Sequence, residues 1–336
     1  MSGPPSSFPS WLASYTEIID SKVSSAFGPD GSALEAAVRE ALRGGKRIRA
    51  VLALLWCEAV SGGYERAVPV AVAYEMAHAA ALVQDDILDD SGYRRGEKSI
   101  VGKHGLRLAI LASNMLLAQV PREIAEYGSL DASGKTLKRL FDLLGDSFGA
   151  SILGESLDLE MSQREKVSQS DYEYMIKLKT GALIAASSAS GVIVGGGADA
   201  EQTVKTAYDF GEWLGMAYQV HDDVLDIVGD AVSLGKPVFA DIRGGKKNIV
   251  LIHALERCSE DDRSFLRQLL DIRDGFDESQ IARAREILSL HGSVEFAQGV
   301  AAAYAENARR LVEAAELGGT KDKLLELSDY LASRKY

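Results

Sequence analysis

Residues 85–96 read "DDILDDSGYRRG": Asp85, Asp86, Asp89 and Asp90 follow an apolar run, and Arg94 and Arg95 come a few residues later. The run before them, "AYEMAHAAALVQ" at 73–84, repeats apolar residues at helical intervals. On a helix turning about 100° per residue, Asp85 and Asp89 share a face about 6 Å apart along the axis, while Asp86 turns aside. "QVHDDVLD" at 219–226 repeats the arrangement, with Asp222 and Asp226 on one face and Gln219 three residues before Asp222. Reading both stretches as helices decides the fold class, which is all-α.

Working outward, "GSALEAAVREALRGGKRIRAVLALLWCEAV" at 31–60 predicts two helices meeting at Gly44 and Gly45. Further helices are expected around 67–90, 104–119, 133–158, 171–195 and 201–228, with several shorter ones between 247 and 332. No run alternates as a strand would. The breaks at 60–69, 128–134, 194–199 and 229–237 are too short for flexible linkers, so the expectation is one large helical domain over 13–336 behind a loose tail at 1–12. The segment most like a membrane span is "GALIAASSASGVIVGGGA" at 181–198, and its Gly, Ala and Ser content favours a tightly packed core helix instead. No transmembrane span is expected.

The formal charge of -12 argues against broad attraction to nucleic acid or anionic membrane. Two cysteines, Cys57 and Cys258, are too few for a disulfide framework or a thiolate metal cluster. The N-terminus resembles no secretory leader, and a cytoplasmic setting is expected.

Like charges stacked on one helix face destabilise it, and divalent cations are one compensation. Oxygen ligands without thiolates favour a hard ion such as Mg²⁺, which ordinarily combines one or two carboxylates with water and substrate phosphate oxygens. A glycosidase also uses two carboxylates, but it requires neither two such clusters nor the nearby basic groups. Those groups are Lys46, Arg47 and Arg49; Arg94 and Arg95; Lys177 and Lys179; and Lys236, Arg243, Lys246 and Lys247. Arg94 would face away from Asp85 on a straight helix. Ser91 and Gly92 are therefore expected to end the helix and let both arginines fold back toward phosphate oxygens. "GGKRIRA" lacks the spacing of a nucleotide P-loop.

Taken together, "GGKRIRA", "HAAALVQDDILDDSGYRRG", "GESLDL", "KLKTG", "AYQVHDDVLD" and "GKPVFADIRGGKK" resemble, in order, the motifs of the trans-isoprenyl diphosphate synthases, the polyprenyl synthetase family. The resemblance spans from about residue 38 to the end. It implies a homodimeric all-α enzyme whose two Asp-rich helices face each other across a central cavity. By motif position, Asp85, Asp86, Asp89, Asp222, Asp223 and Asp226 would hold three Mg²⁺ ions on an allylic diphosphate. Arg94, Lys179, Lys236 and Lys246 would bind that diphosphate. Lys46, Arg49, His78 and Arg95 would bind isopentenyl diphosphate, with Thr180 and Gln219 beside the reacting carbon. Taken alone, without the resemblance, His78 is better read as a hydrogen-bonded core histidine.

The chain departs from the family pattern at Ala50, where proline is common, and at Asn248, where threonine is common. Ser113 and Asn114 replace a frequent Gly-Asp pair. The helix before Asp85 also reads as a ruler for product length. Ala81, Ala80 and Ala77 are small, and Tyr74 lies about 16 Å below Asp85. With about 5 Å per isoprenoid unit, Tyr74 would stop the chain after about three or four units, giving geranylgeranyl diphosphate ahead of the next longer product. The alternative is that Tyr74 points toward neighbouring helices and the floor lies elsewhere, around Met115. A terpene cyclase and a non-catalytic synthase subunit are the alternatives. The cyclase needs no second diphosphate pocket.

Overall fold

The helix with the smallest side chains lies deepest. In the computed structural model, which describes residues 10–27, 31–94, 96–129, 133–196, 200–229, 238–272 and 275–333, every residue from Ala182 to Val194 of that helix is buried. The chain runs α1 (Ser10–Ser25), α2 (Ala33–Ala41), α3 (Ile48–Ser61), α4 (Val68–Leu88), α5 (Ile100–His104), α6 (Leu106–Ser129), α7 (Gly134–Gln163), α8 (Gln169–Ile176), α9 (Ala182–Gly196) and α10 (Glu201–Val228). It continues with α11 (Ala240–Arg243), α12 (Ile249–Arg257), α13 (Glu260–Leu270), α14 (Glu278–Leu290), α15 (Ser293–Ala314) and α16 (Lys321–Ser333). The fold is all-α, as expected.

Small residues set how closely the central helices approach. A Cβ on Gly191 of α9 would lie 2.2 Å from the Ala53 carbonyl oxygen of α3, and one on Gly211 of α10 would lie 2.7 Å from Ala185 Cα. Glycine is required where backbones come this near. Glu65–Leu88 and Gln169–Gly196 are both long and apolar enough to cross a membrane, yet 72% and 83% of their most apolar windows are buried against other helices. The first of these stretches was not singled out in the sequence.

Several boundaries differ from expectation. Helix α1 starts at Ser10 and Leu12 is fully buried, so packing reaches into the stretch expected to be a tail. Helix α6 runs through Pro121 to Ser129, because burial of Ile124 and Tyr127 beyond the proline offsets the lost backbone hydrogen bond. A two-residue hairpin, Tyr93–Arg94 paired with Glu97–Lys98, appears where no strand was anticipated.

Candidate active site

Helix α4 carries Asp85 and Asp86 in its last turn and ends at Leu88. Asp89 caps the helix, and Asp90, at φ 48, reverses the chain in the left-handed region that Asp and Asn tolerate best among residues with a Cβ. Asp90 therefore makes the turn that was expected of Gly92. Ser99 fixes the returning segment: its N–H donates to Gly92 O at 3.0 Å and its hydroxyl to Ser91 O at 2.6 Å. Arg94 is thereby aimed back at α4. Its Nη2 lies 2.7 Å from Asp85 Oδ2, and its Nε lies 2.8 and 2.9 Å from the two oxygens of Asp86.

Lys179 and Thr180 owe their placement to an irregularity. Between α8 and α9, Lys177–Gly181 forms a π-helical turn, a device frequent at functional sites. Gly154 of α7 packs against it so closely that a Cβ there would meet Lys179 N at 2.3 Å. Lys179 Nζ sits 2.8 Å from both Glu155 and Asp158 and 3.5 Å from Asp85. Lys246 reaches Asp89 at 2.5 Å and Asp158 at 3.9 Å.

These neighbours set the protonation of the cluster. Burial pushes Asp85 up, but Lys179, Lys246 and Arg94 overcome it and hold the carboxyl at about 2. Asp86 goes the other way: burial raises it to about 6 despite Arg94. Lys179 is desolvated too, yet Asp158, Asp85 and Glu155 hold it well above the ordinary lysine value.

The second cluster divides differently from the first. Asp222 lines the cavity wall. Asp223 accepts from the Tyr172 hydroxyl at 2.6 Å and from Gln219 Nε2 at 3.0 Å, and burial together with Asp241 raises it well above the usual carboxylate range. Asp226 was expected to share a presented face with Asp222, but it is fully buried. Residues 239–241 fold across it, so its Oδ2 accepts from Asp241 N at 3.2 Å and its carbonyl from Phe239 N at 2.9 Å. Asp241 stands on the cavity wall. Thr180 donates to Gln219 Oε1 at 2.9 Å, joining the π-helical turn to α10.

A cavity of about 360 Å³ opens between these helices, with Ala81, Leu82, Met175, Ile176 and Leu183 as its apolar wall. It adjoins an outer chamber lined by Lys46, Arg49, His78 and Asp89. Arg49 forms no ion pair among the described residues, its Nε has no hydrogen-bond partner, and burial lowers its pKa despite Glu75 and Tyr218. Arg95 and Lys236 lie outside the described residues.

The expected ruler corresponds to the cavity only in part. Ala81 lines the wall, whereas Tyr74, Ala77 and Ala80 are buried behind it. Tyr74 is held by a 2.9 Å hydrogen bond to Ser190 on α9, and Ser113 on α6 donates to Ala80 O at 3.3 Å. Tyr74 therefore does not form the floor of the cavity as folded.

Sequence reading assigned no role to Glu155, Asp158, Tyr172 or Asp241. Glu155 and Asp158 were visible as an i,i+3 acidic pair in "GESLDL", but the partner helices were not. Asn248 caps α12 by accepting Leu251 N at 3.1 Å, a task threonine performs as well.

Residues 32–288 match the polyprenyl synthetase family model. The chain belongs to that family. It is 35% identical over 328 residues to a short chain isoprenyl diphosphate synthase of Methanothermobacter thermautotrophicus, covering 97% of this chain and 98% of that protein. It is 35% identical over 265 residues to a geranylgeranyl diphosphate synthase of Sulfolobus acidocaldarius, covering 79% of each. Among solved structures, geranylgeranyl pyrophosphate synthetase from Pyrococcus horikoshii superposes with a TM-score of 0.88 at 30% identity, covering 96% of this chain and 97% of that one. The prenyl synthase is thus a prenyltransferase of the trans-isoprenyl diphosphate type.

Proposed function

We propose that the enzyme joins isopentenyl diphosphate head-to-tail to an allylic diphosphate and makes geranylgeranyl diphosphate as its main product. The observation that carries the reaction class is a pair of adjoining cavities whose cations fall into two sets, one among the carboxylates and one apart from them. Arg94, Lys179 and Lys246 lie among the carboxylates. Arg49 has no ion pair among the described residues and sits with Lys46 and His78 in the outer chamber. Two diphosphates need two such sets, whereas a cyclase needs one.

The acidic side chains offer oxygen donors only, which fits Mg²⁺. Among the described residues no three carboxylates converge on one point, so water and substrate oxygens would complete each coordination shell. Asp85, Asp89 and Asp222 present the accessible oxygens and would hold the metal, with three ions expected from the family resemblance. Asp86, Asp223 and Asp226 support them from behind. Bound there, Mg²⁺ would supply positive charge to the leaving diphosphate.

In the reaction, the allylic C–O bond breaks and its electron pair leaves with the diphosphate. Arg94, Lys179 and Lys246, with Lys236 from the motif, stabilise that charge. Lys46, Arg49 and His78, with Arg95, hold isopentenyl diphosphate so that its double bond attacks the allylic cation. Thr180 and Gln219 present oxygens near that carbon. The released diphosphate takes the final proton, and no side-chain nucleophile is needed.

We further infer a homodimer in the cytoplasm. Leu106, Ile110 and Leu111 on α6 and Phe141, Ile152 and Leu153 on the next helix, α7, are exposed apolar residues. Gly145 and Gly149 of α7 have open space where a Cβ would project, room for a partner helix. Light scattering on a sizing column tests the assembly.

Incubation with Mg²⁺, isopentenyl diphosphate and each shorter allylic diphosphate, followed by product chromatography, tests the function. Geranylgeranyl diphosphate is expected from every primer. Farnesyl diphosphate as the terminal product rejects the chain length, and absence of any isopentenyl-dependent product rejects the reaction.

A further inference from the structure

Arg47 differs from the cations on either side of it. Its side chain is only 6% exposed, and its backbone, at φ 52, lies in the left-handed region that a non-glycine residue holds only when its surroundings enforce it. Three contacts do so. Its Nε donates to Asp20 Oδ1 at 2.8 Å, its Nη2 to the Leu42 carbonyl, and its Nη1 lies 3.4 Å from Glu75 Oε2. Glu75 uses its other oxygen, Oε1, to accept the Ala50 N–H at 3.1 Å. That N–H belongs to the first turn of α3, where no helical acceptor is available.

Glu75 precedes His78 by one turn of α4 and lines the same chamber as Lys46, Arg49 and His78. A lone carboxylate there would repel an incoming diphosphate. Arg47 cancels it, and by doing so is committed inward, which leaves Lys46 and Arg49 as the two cations of this turn that face the anion.

We propose that Glu75 is a positioning residue for the isopentenyl diphosphate pocket: through Arg47 and the Ala50 N–H it fastens the 46–50 turn to α4, so that Lys46, Arg49 and His78 face one anion. The proposal rests on the reading of those three residues given above. It also gives Ala50 a purpose, since proline at that position has no N–H to offer Glu75.

The test is steady-state kinetics with isopentenyl diphosphate and the allylic substrate varied separately, for the wild type, Glu75→Gln, Arg47→Met, the double variant and Asp20→Asn, with thermal unfolding of each followed by circular dichroism. Arg47→Met leaves Glu75 uncancelled and should raise the isopentenyl KM about tenfold, against about threefold for Glu75→Gln and less for Asp20→Asn. The double variant should regain part of the Arg47→Met loss, and the allylic KM should stay unchanged throughout. A double variant no better than Arg47→Met, or a parallel rise in both KM values, overturns the proposal. If Arg47→Met does not fold, Glu75→Gln and Asp20→Asn decide: a rise confined to the isopentenyl KM supports the proposal, and no change in Glu75→Gln overturns it. Failure of the underlying reading looks different, because the wild type would then form no isopentenyl-dependent product.

Discussion

Lys246 Nζ lies 2.5 Å from Asp89 Oδ2, joining the loop before α12 to the end of α4 across the cavity mouth, although 157 residues separate them in sequence. The pair is partly exposed, so its direct contribution to stability is small. Its value lies in holding a cation where the leaving diphosphate would gain charge. Lys246→Gln should lower kcat/KM for the allylic substrate by about 10- to 100-fold with little change in melting temperature. Kinetics and circular dichroism on one preparation check both halves, and a loss of activity that merely tracks a lower melting temperature would count against the assignment.

Gly154 sets the distance between α7 and the π-helical turn. A methyl group there meets Lys179 N at 2.3 Å and its Cα at 2.6 Å, both backbone atoms that cannot swing away. Gly154→Ala should destabilise the protein by about 1–3 kcal/mol, the usual cost of overpacking, and displace Lys179 from Asp158. Denaturant unfolding measures the first effect. The second should appear as activity lost well below the melting temperature.

The all-α class and the two acidic helices were legible because both depend on local pattern: helical apolar spacing, and carboxylates four residues apart. The division of labour inside "DDVLD" was not. Whether Asp226 faces the cavity is decided by residues 239–241 folding over it, a contact between segments that spacing within α10 cannot encode. The turn at Asp90 escaped for a similar reason, since glycine is the default choice for a positive φ and Asp substitutes only where the surroundings hold it. Tyr74 was expected at the foot of the ruler, a reading that rests on spacing within α4 alone. Its hydrogen bond to Ser190, 116 residues away, ties it into the packing behind the wall.

Asp223 makes the metal-free protein pH-sensitive in a definite direction. Burial and Asp241 raise its folded pKa well above the unfolded value, so the folded state binds this proton more tightly. Its contribution to stability is present at low pH and is lost as pH rises from about 4 through the folded pKa. Asp223→Asn removes the titration. With chelator present, melting curves should show the variant gaining on the wild type as pH rises from about 4 to 8. A pH-independent difference between the two would contradict the direction of the shift.

Ala81 and Ala77 separate two ideas about product length. Ala81 is on the cavity wall, while Ala77, one turn deeper, is buried behind it. If the growing chain follows the apolar wall, Ala81→Phe fills the path and should shorten the main product by at least one isoprenoid unit without abolishing turnover. Ala77→Phe instead forces a ring into a packed core. It should cost about 1–3 kcal/mol of stability and leave the product of the surviving enzyme unchanged. Chromatography of products from both variants, beside their melting temperatures, distinguishes the cases. Shortening by Ala77→Phe with an unaltered melting temperature would mean that the tail descends along α4 toward Tyr74 after all, through a passage that opens when substrate is bound.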